Sequence, residues 1–127
     1  MTETIQVLII DDDESHLRML KTVLEKAGYQ VLTASDGLQG FEQFSQHRCD
    51  LVICDIFMPE QEGLETITEI KEKRPETKII AISGGGARAK YVAEDILTIA
   101  RDLGADQVMS KPIDIPRLLT TIKAMTT

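Results

Sequence analysis

Five side chains suited to metal and phosphate chemistry follow directly after short apolar runs of the chain. They are three carboxylates, a hydroxyl and an amine: Asp11, Asp12, Asp55, Ser83 and Lys111. Clustered carboxylates repel one another unless a counter-ion is present, and oxygen ligands of this kind suit Mg²⁺ or Mn²⁺. The amine and the hydroxyl would neutralise the oxygens of a phosphoryl group in transfer. A carboxylate can itself attack phosphorus and form an acyl phosphate.

The runs that precede these side chains have the character of β-strands. Most are apolar and rich in β-branched residues, which is typical of strands buried on both faces of a parallel sheet. The predicted strands are Val7–Ile10, Tyr29–Ala34, Leu51–Cys54, Lys78–Ile82 and a weaker Gln107–Ser110. Stretches with apolar residues at helical spacing follow each strand. They begin after Ser15 and near Leu38, Leu64, Val92 and Ile115. Pro59–Gly63 is predicted to be a loop.

Strand and helix alternate five times, and this order predicts an α/β fold. Short connections of this kind give a doubly wound parallel sheet with helices on both faces. The flavodoxin-like strand order 2-1-3-4-5 is the natural expectation for five such units, and it makes strands 1, 3, 4 and 5 consecutive neighbours. Functional groups in these folds gather at the carboxyl ends of the strands. The five candidate side chains are therefore expected to converge on one pocket.

Composition and charge exclude several classes of function. A chain of 127 residues with 43% hydrophobic residues fits one compact domain. The formal charge of −7 argues against a basic nucleic-acid-binding face, so we expect no direct nucleic-acid partner. No apolar run approaches the ~20 residues of a membrane span, and the first residues lack the regions of a signal peptide. We expect a cytoplasmic protein without a membrane partner, in which Cys49 and Cys54 are reduced and structural.

Four motifs in order carry a resemblance to a known family. They are Val7–Asp12, Leu51–Asp55 with Met58-Pro59 and Gly63 behind it, Ile79–Ser83, and Gly104–Asp106 leading to Lys111-Pro112. Each motif alone is weak, but all four occur together and at predicted strand ends. The sequence resembles the receiver domains of bacterial response regulators over about Ile5 to Met125. The resemblance implies a single receiver domain over residues 1–127, and Met1 at the start of a complete domain favours a stand-alone protein.

The resemblance also implies a catalytic role for three of these side chains. Asp55 would be the phosphoacceptor, Ser83 the switch hydroxyl, and Lys111 the group that holds a phosphoryl oxygen. A cis peptide bond would precede Pro112.

The resemblance further implies a set of metal ligands. Asp12 would bind a divalent cation directly, and Asp11 would bind it mainly through water. Asp55 and the backbone carbonyl of Phe57 would complete the protein ligands. The cofactor implied is Mg²⁺, or Mn²⁺ in its place.

The chain departs from the family at the switch. Many receivers carry an aromatic residue where this chain has Val108. In those receivers the ring rotates inward when the switch hydroxyl moves, and the side chain of Val108 is too small to respond to a movement of Ser83 in this way. We expect the glycine-rich loop Gly84–Gly86 and the start of the fourth helix near Tyr91 to move instead.

Three functions from different classes remain open at this point. The leading one is a signalling switch that is phosphorylated by a histidine kinase or a histidine phosphotransfer protein and acts on an unidentified protein target. Such a switch is not a turnover enzyme and promotes only its own phosphorylation and dephosphorylation. The second is a metal-dependent phosphatase that uses an aspartyl phosphate. Phe57 speaks against it, because that chemistry usually uses an acid two residues after the nucleophile. The third is a constitutive pseudo-receiver, which the intact set of five side chains disfavours.

The two histidines, His16 and His47, have no second histidine at ligand spacing. We expect surface or capping roles for both.

Overall fold

The computed structural model describes residues 4–56, 62–84 and 98–127, and all structural statements below refer to them. Five strands alternate with helices along the chain. The elements are β1 (Gln6–Ile10), α1 (Glu14–Lys26), β2 (Gln30–Ala34), α2 (Gly37–Gln46), β3 (Leu51–Asp55), α3 (Glu62–Lys73), β4 (Lys78–Ser83), α4 (helical at residues 98–103), β5 (Gln107–Ser110) and α5 (Ile115–Met125).

The strands form one parallel sheet in the order β2-β1-β3-β4-β5, which confirms the predicted α/β fold. Successive side chains of a strand point to opposite faces, so β1 contributes to two separate apolar clusters. Leu8 and Ile10 pack with side chains of α2 and α3, whereas Val7 and Ile9 pack with side chains of α1 and α5. Because helices cover both faces of the sheet, the strands are continuous apolar runs in the sequence and do not show an alternation of apolar and polar residues.

Aspartate residues set the starts of three helices. Asp13, Asp36 and Asp114 each adopt an extended conformation, and their side chains accept hydrogen bonds from backbone N–H groups of the first helical turn. This N-cap arrangement satisfies donors that the helix leaves unpaired. Helix α1 consequently starts at Glu14, earlier than the sequence predicted.

The start of α3 also differs from the prediction. Gly63 was assigned to a loop, but it lies inside α3, which starts at Glu62. A Cβ atom at Gly63 would lie 2.4 Å from the carbonyl oxygen of Asp55 and 2.6 Å from the Cα of Ile56. The glycine therefore allows the first turn of α3 to lie directly against the end of β3.

A polar cluster fixes the start of β5, upstream of Lys111. Asp106 Oδ2 accepts from the backbone N–H of Ile79 at 2.9 Å and from Lys71 Nζ at 3.2 Å. Lys71 Nζ also donates to the Thr77 carbonyl at 2.7 Å. These bonds tie the residue before β5 to α3 and β4, and so hold the start of the strand that leads to Lys111.

Both cysteines are free and buried, as expected for reduced, structural residues. Burial, with a smaller contribution from Asp50, raises the pKa of the Cys49 thiol to about 11 although Arg74 opposes the shift. The thiolate that reacts with oxidants and metals is thus scarce at neutral pH. Among the described helices, none combines the length and apolar character needed to cross a bilayer.

Candidate functional site

Three carboxylates meet at the carboxyl edge of the sheet. Asp11 and Asp12 follow β1, Asp55 ends β3, and the two strands are direct neighbours with Ile10 opposite Cys54. One carboxylate oxygen from each aspartate can be chosen so that all three lie within 4.8 Å of one another. Asp11 and Asp55 are only 1% and 2% exposed, whereas Asp12 is exposed. The convergence predicted from the strand order is therefore present.

Lys111 reaches into this cluster from β5. Its Nζ lies 2.9 Å from Asp55 Oδ2 and 3.3 Å from Asp11 Oδ2. Burial lowers the pKa of Lys111, but the two carboxylates outweigh it, so the net shift is upward and the amine is held as a cation. The Lys111-Pro112 peptide bond is cis, as the resemblance implied.

The Asp11 carboxylate has partners on both of its oxygens. Oδ1 accepts from the backbone N–H of Asp13 at 2.9 Å, and Oδ2 contacts His16 Nδ1 at 2.5 Å as well as Lys111. Burial raises the pKa of Asp11, but the Asp13 N–H, His16 and Lys111 together outweigh it and bring the net pKa below the ordinary value. Asp11 is therefore a buried carboxylate that these contacts keep ionised.

The sequence did not predict that His16 belongs to this site. A surface or capping role was expected, but the imidazole is only 11% exposed and contacts Asp11. A signal was available: His16 precedes Leu20 and Leu24 at spacings of four, and both leucines are fully buried on the face of α1 that packs on the sheet. His47 is exposed, with Nδ1 3.1 Å from the Gln43 carbonyl.

Ser83 lies at the same edge of the sheet. It follows Ile82, the β4 partner of Asp55, and it is fully buried. Its Oγ lies 3.5 Å from the hydroxyl oxygen of Ser110, its partner on β5, which is a long hydrogen bond. Ser83 thus lies at the edge of the sheet that carries the acidic cluster, and its backbone carbonyl accepts a hydrogen bond from the Lys111 N–H at 2.9 Å.

Two expectations fall outside the described residues. Phe57, whose backbone carbonyl was expected to be a metal ligand, is one. The other is the movement expected of the glycine-rich loop and the region of Tyr91, of which only Gly84 is described.

The chemistry of the donor set fits a hard divalent cation. The cluster offers oxygen donors only, and carboxylate oxygens suit Mg²⁺, Mn²⁺ and Ca²⁺ better than softer metals. Lys111 beside the same oxygens adds a positive charge that a bound phosphoryl group would also contact. The arrangement suits a reaction in which negative charge on phosphoryl oxygens must be neutralised from two sides.

Comparison with known proteins agrees with this geometry. The profile of the family described as "Response regulator receiver domain" matches residues 7–123. The polar-differentiation response regulator DivK of Brucella anthropi is 31% identical over 118 residues, which is 93% of this chain and 93% of DivK. The transcriptional regulatory protein ZraR of Klebsiella oxytoca is 35% identical over 120 residues, but this chain spans only 26% of its length.

A solved structure extends the comparison to three dimensions. The response regulator TrrA of Thermotoga maritima, determined in complex with Mg²⁺ and a beryllium fluoride group, superposes with a TM-score of 0.79 at 30% identity. The match covers 96% of this chain and 99% of the TrrA chain. The likeness therefore includes the whole fold and not the motifs alone.

Proposed function

This chain belongs to the response regulator receiver domain family, and on that premise we propose that it is a phosphorylation-controlled switch whose phosphoacceptor is Asp55. The observation that carries the proposal is the contact of Lys111 Nζ with Asp55 Oδ2 at 2.9 Å, inside a cluster that also contains Asp11 and Asp12. A buried carboxylate between an ammonium group and two other carboxylates is a nucleophile that already has a phosphoryl-binding cation beside it.

The positions of these groups support a specific reaction. A carboxylate oxygen of Asp55 attacks phosphorus of a phosphohistidine, the P–N bond breaks as the O–P bond forms, and the imidazole nitrogen recovers a proton. Lys111 then moves from the carboxylate to an oxygen of the transferred group, with the full charge that its raised pKa maintains. The Ser83 hydroxyl donates to another of these oxygens, a charge-assisted bond about twice as strong as a neutral one.

Asp11, Asp12, Asp55 and the backbone carbonyl of Phe57 would hold the divalent cation that this transfer requires. Bound Mg²⁺, or Mn²⁺, would supply positive charge to the phosphoryl oxygens in addition to that of Lys111. Two features support the assignment: the oxygen-only donor set of the cluster, and the Mg²⁺ present in the structure of the similar regulator TrrA.

The partners of the switch are proteins. A histidine kinase or a histidine phosphotransfer protein is the donor, and the phosphorylated surface acts on a downstream protein in the cytoplasm. The chain promotes only its own phosphorylation and dephosphorylation and does not turn over a substrate.

Mass spectrometry of the intact protein tests the proposal. Incubation with a small acyl phosphate and Mg²⁺ should add the mass of one phosphate, and a chelator should prevent the addition. The phosphatase alternative gives a different result, because it hydrolyses a generic phosphate ester over many turnovers. Absence of the added mass at saturating donor and Mg²⁺ would exclude the proposed reaction.

Replacing Asp12 with Ala should weaken Mg²⁺ binding by about tenfold or more, since one of few protein ligands is lost and water compensates poorly. Titration followed by NMR shifts of the backbone amides measures the change. Glu14→Ala is the matched control, because Glu14 is an exposed acid of the first turn of α1 whose loss changes the net charge equally. Equal weakening in both variants would indicate a general charge effect and place the cation elsewhere.

A further inference from the structure

The surroundings of His16 are unusual for a histidine near the start of a helix. Its side chain is 11% exposed. Nδ1 contacts Asp11 Oδ2 at 2.5 Å, and the buried Nε2 has no hydrogen-bond partner among the described residues. The contact with Asp11 is thus the one hydrogen bond that the structure shows for the imidazole ring within the described part of the chain.

Packing alone does not account for an imidazole at this position. Helix α1 places residue 16 on the same face as Leu20 and Leu24, where an apolar side chain would pack in the core. A buried nitrogen without a hydrogen-bond partner destabilises the fold, so an imidazole is a worse core residue here than leucine. The benefit of the imidazole lies in its contact with Asp11.

The direction of the hydrogen bond follows from the carboxylate. A carboxylate offers only acceptor oxygens, and both oxygens of Asp11 already face donors, the Asp13 N–H on Oδ1 and Lys111 Nζ on Oδ2. Nδ1 of His16 must therefore carry the proton and donate it to Oδ2. Together with the Asp13 N–H on Oδ1, this bond fixes both the torsion and the position of the Asp11 carboxylate.

Lys111 cannot provide the same restraint throughout the reaction. Its Nζ is shared between Asp55 at 2.9 Å and Asp11 at 3.3 Å, and the proposed transfer draws the amine toward the phosphoryl oxygens. Once Lys111 has moved, His16 and the Asp13 N–H are the partners that still hold Asp11.

We propose that His16 is a positioning residue for the cation site, which acts by holding the Asp11 carboxylate in the orientation that binds Mg²⁺. The inference rests on the proposed function of the acidic cluster and adds a residue that supports its ligands. Hydrogen-bonding partners behind metal-binding carboxylates commonly contribute about 10–100-fold to metal affinity.

Four variants separate positioning from packing. His16→Leu keeps the bulk and removes the donor. His16→Asn keeps an N–H donor near the place of Nδ1, whereas His16→Gln carries its donor farther out, near the place of Nε2. His47→Leu is the matched control, because it removes the chain's other histidine from an exposed site.

Two measurements are made on each variant of the full chain. The first is the dissociation constant of Mg²⁺ from an NMR titration, and the second is the melting temperature. The Leu and Gln variants should bind Mg²⁺ about tenfold more weakly, and the Asn variant should return to within about threefold of the parent. The His47→Leu variant should match the parent.

Two outcomes would overturn the inference. One is unchanged Mg²⁺ affinity in His16→Leu. The other is equal loss of affinity in the Leu, Gln and Asn variants in proportion to their loss of melting temperature, which would indicate a packing role. The proposed function is judged separately, by phosphorylation of the parent chain. A parent that takes no phosphate refutes that function, while the Mg²⁺ titrations still decide the role of His16.

Discussion

Replacement of Asp55 with Asn should abolish phosphoryl uptake from an acyl phosphate in the presence of Mg²⁺. The amide has nearly the same shape as the carboxylate but lacks an anionic oxygen, so it is not a competent nucleophile. The rate should fall by on the order of 10³-fold or more, as is usual when a covalent nucleophile is removed. Asp55 is 2% exposed and sits at the end of the central strand β3, so the isosteric change should leave the fold intact.

The control for this prediction lies at the other end of the same strand. Asp50 precedes β3 and accepts a hydrogen bond from the backbone N–H of Gln6 at 2.9 Å. Asp50→Asn changes the same charge and retains an acceptor, so it should be phosphorylated like the parent. Intact-protein mass spectrometry measures the added phosphate in the parent, Asp55→Asn and Asp50→Asn at the same reaction times. An added phosphate that persists in Asp55→Asn would assign the nucleophile to a different side chain.

The sequence was sufficient to predict the sheet and the convergence of the acidic cluster. Parallel strands buried on both faces appear as separate apolar runs, and the residue after each run must lie at the same edge of the sheet. Asp11, Asp12, Asp55 and Lys111 were found in this way, and the observed strand order brings them together. At these positions the apolar runs of the sequence coincide with the strands of the fold, so the residues that follow the runs could be identified as site residues from the sequence.

What the sequence did not predict depends on how each helix packs against the end of the strand that precedes it. The imidazole of His16 was assigned a surface or capping role because no second histidine lies at ligand spacing, although its place on the apolar face of α1 was visible. Gly63 was assigned to a loop because glycine usually ends or interrupts helices. The reason for that glycine is the backbone of Asp55 and Ile56 beside it, and no local pattern records such a neighbour.

Gly63 should therefore be essential to the position of the phosphoacceptor. In Gly63→Ala, the new Cβ would lie 2.4 Å from the Asp55 carbonyl oxygen and 2.6 Å from the Ile56 Cα. Neither atom belongs to a flexible side chain, so either α3 or the end of β3 must shift. Overpacking of this kind costs about 1–3 kcal/mol, and the better helix propensity of alanine returns only about 1 kcal/mol.

The expected effect on chemistry exceeds the effect on stability. A displacement of about 1 Å at reacting groups can lower a rate by about 100-fold, and the shift here acts on the backbone of the nucleophile itself. We expect Gly63→Ala to be phosphorylated by an acyl phosphate about 10- to 100-fold more slowly at saturating Mg²⁺. Urea unfolding of the same sample should show a loss in the free energy of unfolding of at most about 2 kcal/mol.

Gly40 provides the comparison that separates these two effects. It is also a helical glycine, and a Cβ there would lie 2.4 Å from the Cδ1 atom of Ile10. That contact, like the one with Cγ1 at 2.8 Å, is with the side chain of Ile10 and not with the backbone of the sheet. Gly40→Ala should therefore change stability while leaving the phosphorylation rate close to that of the parent. If the two variants lose rate equally, or if Gly63→Ala keeps the parent rate, the close approach of α3 to β3 is not what positions Asp55.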